Sequence, residues 1–224
     1  MIKISKTEVF GWESAIRGMR NPMNSWNKSD TNTDFPDCFS CTHNKEITGV
    51  SCELFQCVVL GDVDLKLMKS LSKAGDDHSK FLRMINVSMD VTAPLFWCKE
   101  FDTYKVGTVS NSCSTMHKIH SKKFTLDDFS HEQLEGEWLN DFYCLLWSLN
   151  HARDEYLKTK DKKYWWQMIQ LLPTSYNQKR TIQLNYQVLK TMYHARKNHK
   201  LDEWREFCKW CELLPYFKEI CIDV

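Results

Sequence analysis

Turn-forming residues are scarce: the 224-residue chain holds only seven Gly and five Pro. That argues against a loop-rich or disordered protein. Long apolar runs are missing too. No stretch approaches the ~20 residues that a transmembrane helix needs. The opening residues, MIKISKTEVFGWESAIRGM, carry charge throughout and lack the apolar region of a signal peptide. Net charge is only +1, which gives no strong field for nucleic acid or an anionic membrane. These absences point to a cytoplasmic protein with no membrane or nucleic-acid partner. Residues 1–224 suffice for a single domain with its own core. In the cytoplasm its ten cysteines are mostly thiols.

Aromatic residues are abundant, at 13% with nine Trp. They suit either a ring-rich core or flat contact surfaces for planar ligands or other subunits. The pattern along the chain is α+β and helix-dominated, with a small antiparallel or mixed sheet. Ile2–Ser5 reads as a strand, followed by a helix over EVFGWESAIRGMRN. From 28 to 61 the chain is polar and turn-rich, like an insertion. Asp62 or Asp64 can cap the helix DLKLMKSLSKAG, which stops at Gly75. In Phe81–Pro94 the residues Ile85, Val87, Met89 and Val91 alternate with polar ones, the period of a strand. A long helix is expected over Glu132–Lys160, with an apolar stripe at Leu134, Trp138, Phe142, Leu145 and Leu149. Helices are also expected at Lys162–Leu172, Thr181–Asn198 and Leu201–Leu214.

Within the insertion, Cys38, Cys41, Cys52 and Cys57 give C-x2-C-x10-C-x4-C, with His43 nearby. Four thiolates can close a tetrahedral zinc site, although the second pair is irregular. The alternative is ordinary thiols and no metal.

Two segments carry more specific information. The first runs from LMKSLSKAG through FLRMINVSMDVTAP to LFWCKEFDTYKVGTVSNSCSTM. The second is LLPTSYNQKRTIQLNYQVLKTMYHARKNHKLDEW, in which Asn185 follows Pro173 by twelve residues and Arg196 follows Asn185 by eleven. Eleven residues are about three helical turns, so an amide and a guanidinium would share one face. The amide can bond a base or flavin edge, and the guanidinium can grip a phosphate. The alternative is that Asn185 caps a helix and Arg196 lies on the surface.

In order and spacing these segments resemble the flavin-dependent thymidylate synthases. That family has Arg-His-Arg, seven residues, then Ser; here Thr103-Tyr104-Lys105 and Cys113 stand at those positions. The resemblance implies the family's fold and a homotetramer with active sites between subunits. It implies a dUMP-like pyrimidine deoxynucleotide as substrate and FAD as cofactor. In the family, reduced flavin mediates transfer of a methylene group from methylenetetrahydrofolate to dUMP, with NADPH as reductant. Folate and NADPH are implied here only if that methyltransferase chemistry survives. The resemblance marks Arg196 and Cys113 as substrate contacts, and Lys99, which flanks the same region, is a candidate compensating cation for the substrate. It marks Asn185, Thr103, Tyr104 and Lys105 as flavoprotein cofactor contacts, with Arg83 a candidate compensating cation beside them. No residue is assigned to catalysis.

The departures are numerous. Thr103 and Tyr104 are neutral, and Lys105 lacks the planar fork of Arg. Thr115, Ile169 and Gln187 stand where the family has further substrate-binding arginines. Each lost charge-assisted contact removes about 1.5–3 kcal/mol. Lys118, Lys122, Arg17 and Arg20 are candidate compensators. His117 would lie within reach of Cys113 if that segment were helical. Two readings stay open: an altered enzyme of pyrimidine nucleotide metabolism, or a non-catalytic nucleotide-binding or protein-interaction module on the same fold.

Overall fold

The period of two in the sequence becomes strand β2, Asn86–Pro94, whose Val87, Met89, Val91 and Ala93 are buried while the residues between them are half-buried. The computed structural model describes residues 1–31 and 58–224. The four-cysteine pattern Cys38, Cys41, Cys52 and Cys57 lies outside the described residues.

The other strands are β1 (Lys3–Phe10), β3 (Val109–Ser112) and β4 (Asn177–Asn185). They form a four-stranded antiparallel sheet in the order β1-β2-β4-β3. The helices are α1 (Trp12–Arg20), α2 (Asp62–Lys73), α3 (Leu95–Phe101), α4 (Gly136–Thr159), α5 (Lys162–Leu171), α6 (Tyr186–Arg196) and α7 (Asp202–Cys211). The helix-dominated α+β class with a small sheet is therefore present. Among the described residues, no helix is long and apolar enough to cross a membrane.

Three boundaries differ from the sequence reading. Strand β1 runs on to Phe10, and α1 starts only at Trp12, because Gly11 takes φ +94° at the junction. A Cβ on Gly11 would lie 2.1 Å from the Met84 carbonyl oxygen, so no other residue fits. Thr181–Asn185, expected as helix, is the end of β4. Its inward residues are Gln178, Arg180, Ile182 and Leu184, and the two polar ones conceal the strand period. Helix α2 is capped by neither Asp62 nor Asp64. Asp30 does it, accepting from the amides of Val63 (2.9 Å) and Asp64 (3.0 Å).

The chain forms two compact units. One contains Met1–Lys3, Val91–Thr103 and Asn111–Arg180. Here α4 packs along α5 over an apolar cluster of Ile119, Phe124, Phe129, Leu149, Ala152 and Met168. The expected stripe on α4 holds only in part. Leu149 is buried and Phe142 and Leu145 are half-buried, but Trp138 is 64% exposed.

The other unit contains Ile4–Asp90, Tyr104–Ser110 and Thr181–Val224. Rings fill its core: Trp12 meets Tyr186 and Tyr216 edge-on, and Tyr186 meets Phe217 at 5.3 Å. The phenol of buried Tyr186 donates to the Pro215 carbonyl at 2.8 Å, so its polar end is satisfied. At another point of this unit Arg20 and Asp64 form an ion pair, 3% and 0% exposed. Arg20 Nε donates to Asp64 at 2.7 Å, while Nη1 and Nη2 reach the carbonyls of Ser25 and Lys28. Asp64 also accepts from the hydroxyls of Ser29 and Thr31. Arg20 is thus a structural residue. The indole N–H of Trp26 donates to Asn21 Oδ1 at 2.8 Å, and the ring stays 52% exposed.

Candidate functional site

A loop leaves the end of α3 at Asp102 and carries the altered signature. Tyr104 is half-buried, and its hydroxyl accepts from Nε of Arg196 at 3.0 Å. The Arg196 guanidinium lies 5.0 Å from the centre of the Trp204 ring system and 5.7 Å from that of Tyr104. Tyr104 and Trp204 meet edge-on at 6.1 Å, and His199 meets Trp204 at 6.3 Å. Trp204 is fully buried on α7, which fixes the platform on which Arg196 rests. A cation over an indole face gains about 0.5–2 kcal/mol, and the planar guanidinium suits that face better than an ammonium.

Arg196 is the last residue of α6, and Asn185 is the N-cap of the same helix. Asn185 Oδ1 accepts from the Val188 amide at 3.1 Å, which is the capping alternative. Its Nδ2 faces Gly107, where an added Cβ would lie only 3.0 Å away. Gly107 has φ +78°, so both its conformation and its closeness to Asn185 require glycine. Beside it, the Thr108 hydroxyl oxygen is buried without a hydrogen-bond partner among the described residues. Buried hydroxyls are normally satisfied, so an orphan at this place is a candidate for a ligand contact.

The remaining expected contacts fall as follows. The Thr103 hydroxyl donates to the Glu100 carbonyl at 2.7 Å. Lys105 is exposed on the loop, and Lys99 is exposed on α3. Arg83 is exposed at the end of a short 3-10 turn, Lys80–Arg83, and no described contact ties it to Tyr104 or Arg196. Cys113 is an exposed free thiol just after β3. The residues after Cys113 form a turn in which Ser114 Oγ accepts from the amides of Met116 and His117. That segment is not helical, so the spacing argument for a Cys113–His117 pair does not apply.

The positions of the lost arginines have new partners. Ile169 packs against the apolar cluster of its unit. Gln187 donates to Asp76 at 3.0 Å. One residue missed in the sequence matters here: Trp204. Trp204 sat at the end of the second segment, but its role depends on α7 folding back to Arg196, which no local pattern announces.

No protein-family model matches the sequence, and no curated protein matches it. Solved structures do. A crystal structure of thymidylate synthase X from Helicobacter pylori with FAD and dUMP matches with TM-score 0.66 at 14% identity, covering 100% of this chain and 98% of that one. A second structure of the flavin-dependent enzyme from the same organism, also complexed with FAD and dUMP, gives TM-score 0.64 at 14% identity, covering 99% and 98%. At that identity the likeness establishes the fold: this chain has a divergent form of the flavin-dependent thymidylate synthase fold over its whole length.

Proposed function

We propose that the protein binds a pyrimidine deoxynucleotide resembling dUMP, with FAD as a second ligand, and that the methyl-transfer chemistry is altered or lost. The observation that carries this reading is Arg196. It stands at the family spacing from Asn185 and is braced by Tyr104 and the Trp204 ring in a defined orientation. A planar fork held in place is suited to an anionic, planar ligand. The Tyr104 oxygen accepts from Arg196, which leaves its own proton for an acceptor such as a pyrimidine carbonyl or a phosphate oxygen. Lys99 and Cys113 complete the proposed substrate contacts.

The residues near the loop fit a flavin nucleotide in kind. Lys105 offers a positive charge, Asn185 keeps Nδ2 toward Gly107, and the buried Thr108 hydroxyl has no hydrogen-bond partner among the described residues. Thr103, Tyr104 and Arg83 would be the further contacts. FAD bound there would supply redox chemistry. NADPH and methylenetetrahydrofolate belong to the reading only where the family reaction survives. A cytoplasmic setting belongs to it as well.

A second reading, a nucleotide-binding or interaction module without catalysis, is favoured by a specific set of contacts. The Thr103 hydroxyl and Asn185 Oδ1 serve the protein's own backbone, and Ile169 has no polar group to offer. One titration separates the readings. Purified protein is mixed with FAD and examined for bound-flavin absorbance, and its melting is followed with and without dUMP. Flavin uptake and dUMP stabilisation support the first reading. Stabilisation by dUMP with no flavin uptake at high micromolar FAD selects the second. No dUMP stabilisation removes dUMP from both.

A homotetramer is part of the same proposal, and the surface of α4 supports self-association. Tyr143 and Trp147, four residues apart on one face of α4, are 49% and 68% exposed. Large exposed rings grouped on one helix mark interaction surfaces. Sedimentation of the purified chain at micromolar concentration tests it: an assembly larger than a monomer is expected, and a monomer contradicts it.

A further inference from the structure

Strand β4 carries a buried charge whose partners lie outside the proposed nucleotide contacts. Arg180 is 9% exposed, in a position where a strand normally buries an apolar side chain. Its guanidinium forks onto one carboxylate: Nη1 lies 2.5 Å from Asp102 Oδ1 and Nη2 lies 3.3 Å from Asp102 Oδ2. Its Nε donates to Gln178 Oε1 at 3.0 Å. Gln178 in turn donates through Nε2 to the carbonyl of Cys113 at 2.7 Å. The amide of Cys113 donates to the Lys179 carbonyl at 2.9 Å.

Asp102 and Cys113 bracket the altered signature. Asp102 is the C-cap of α3, one residue before Thr103. Cys113 follows the last residue of β3. One connected set of hydrogen bonds from three successive β4 residues, Gln178, Lys179 and Arg180, therefore holds both ends of the ten-residue stretch Thr103–Ser112. A buried arginine is costly unless it is paired and its donors are satisfied. An apolar residue would serve the strand equally well, so the cost has to be offset by what the arginine holds.

We propose that Arg180, acting through Asp102 and Gln178, is a positioning residue that sets the loop bearing Thr103, Tyr104 and Lys105. The proposal rests on the nucleotide reading only for its consequence; the clamp itself is independent of any ligand. Bidentate pairing makes the position specific to arginine. Lysine keeps the charge but cannot reach both Asp102 oxygens and Gln178 together.

Hydrogen exchange read by mass spectrometry on the ligand-free full chain tests this. The variants are Arg180→Gln, Arg180→Lys and Asp102→Asn. Asp102 is half-exposed, so Asp102→Asn cuts the same link without opening the core, should Arg180→Gln fail to fold. Peptides covering 103–112 are expected to exchange about tenfold faster in Asp102→Asn and Arg180→Gln, the scale of one lost charge-assisted bond. Arg180→Lys is expected to fall between those variants and the parent, while peptides from α4 and α6 keep their parental rates. Unchanged exchange over 103–112, or a rise spread equally over α4 and α6, overturns the clamp. A parallel dUMP titration of Asp102→Asn should show weaker stabilisation than the parent. If the parent itself is not stabilised by dUMP, the nucleotide reading fails, and the exchange result still decides the clamp.

Discussion

Arg20 and Arg196 belong to the same compact unit and differ in burial and in the rings that surround them. Arg20 is almost fully buried, and its three nitrogens go to Asp64 and to the carbonyls of Ser25 and Lys28. Its partner Asp64 on α2 is bonded in turn to Ser29, Asp30 and Thr31. Arg196 is only half-buried and is braced by a phenol and an indole. Buried arginine paired to carboxylate holds a fold together. Arginine laid on rings at the end of a helix keeps its orientation near the surface. The comparison separates two arginines that look alike in sequence, both in aromatic, asparagine-containing surroundings.

The largest effect should come from breaking the buried pair. Asp64→Asn leaves Arg20 charged and poorly matched, which costs about 3–5 kcal/mol. For a chain of this size that corresponds to a melting temperature lower by roughly 6–20 °C. Thermal unfolding of the two proteins measures it, and a shift below a couple of degrees would make the pair dispensable.

The same pair gives a pH dependence. Burial raises the Asp64 carboxyl, but the hydrogen bonds from Thr31, Ser29 and Arg20, together with the Arg20 charge, outweigh it and hold the group below the usual carboxylate range. A carboxyl lowered in the folded state contributes stability that is fully present above its unfolded value. That stability is lost as pH falls toward the folded value. The gap between parent and Asp64→Asn should therefore be constant near neutrality and narrow below about pH 4. A gap that widens in acid would contradict the assignment.

A smaller effect is expected at the other arginine. Tyr104→Phe keeps the ring beside Trp204 and deletes only the hydroxyl that accepts from Arg196. Stability should fall by about 1 kcal/mol or less, since one part-exposed hydrogen bond is lost. Nucleotide affinity should weaken by up to about tenfold, the scale of one lost polar contact. Calorimetric titration with dUMP measures this, and unchanged affinity would make Tyr104 a spectator.

Much of this was legible in the sequence, for identifiable reasons. Strand β2 was readable because Val87, Met89 and Val91 alternate with polar residues and all point inward. The relation of Asn185 to Arg196 was readable as spacing. Strand β4 was not, because Gln178 and Arg180 occupy two of its inward positions. Strand β3 was not, because all four of its residues are exposed and it has no apolar face to announce it. Trp138 reads as core by helical period, yet it is exposed on α4. Periodicity says which residues share a face, and not what covers that face. The partners of Arg196 escaped notice for a related reason: Tyr104 is ninety-two residues away in the chain, and only the fold brings its phenol to Arg196.

Arg196 is proposed to receive a pyrimidine nucleotide. The most direct test is the dUMP-induced rise in melting temperature, measured for the parent and for Arg196→Ala. A concentration-dependent rise is expected in the parent and none in the variant, with the unliganded variant still melting cooperatively. An equal rise in both proteins would contradict it.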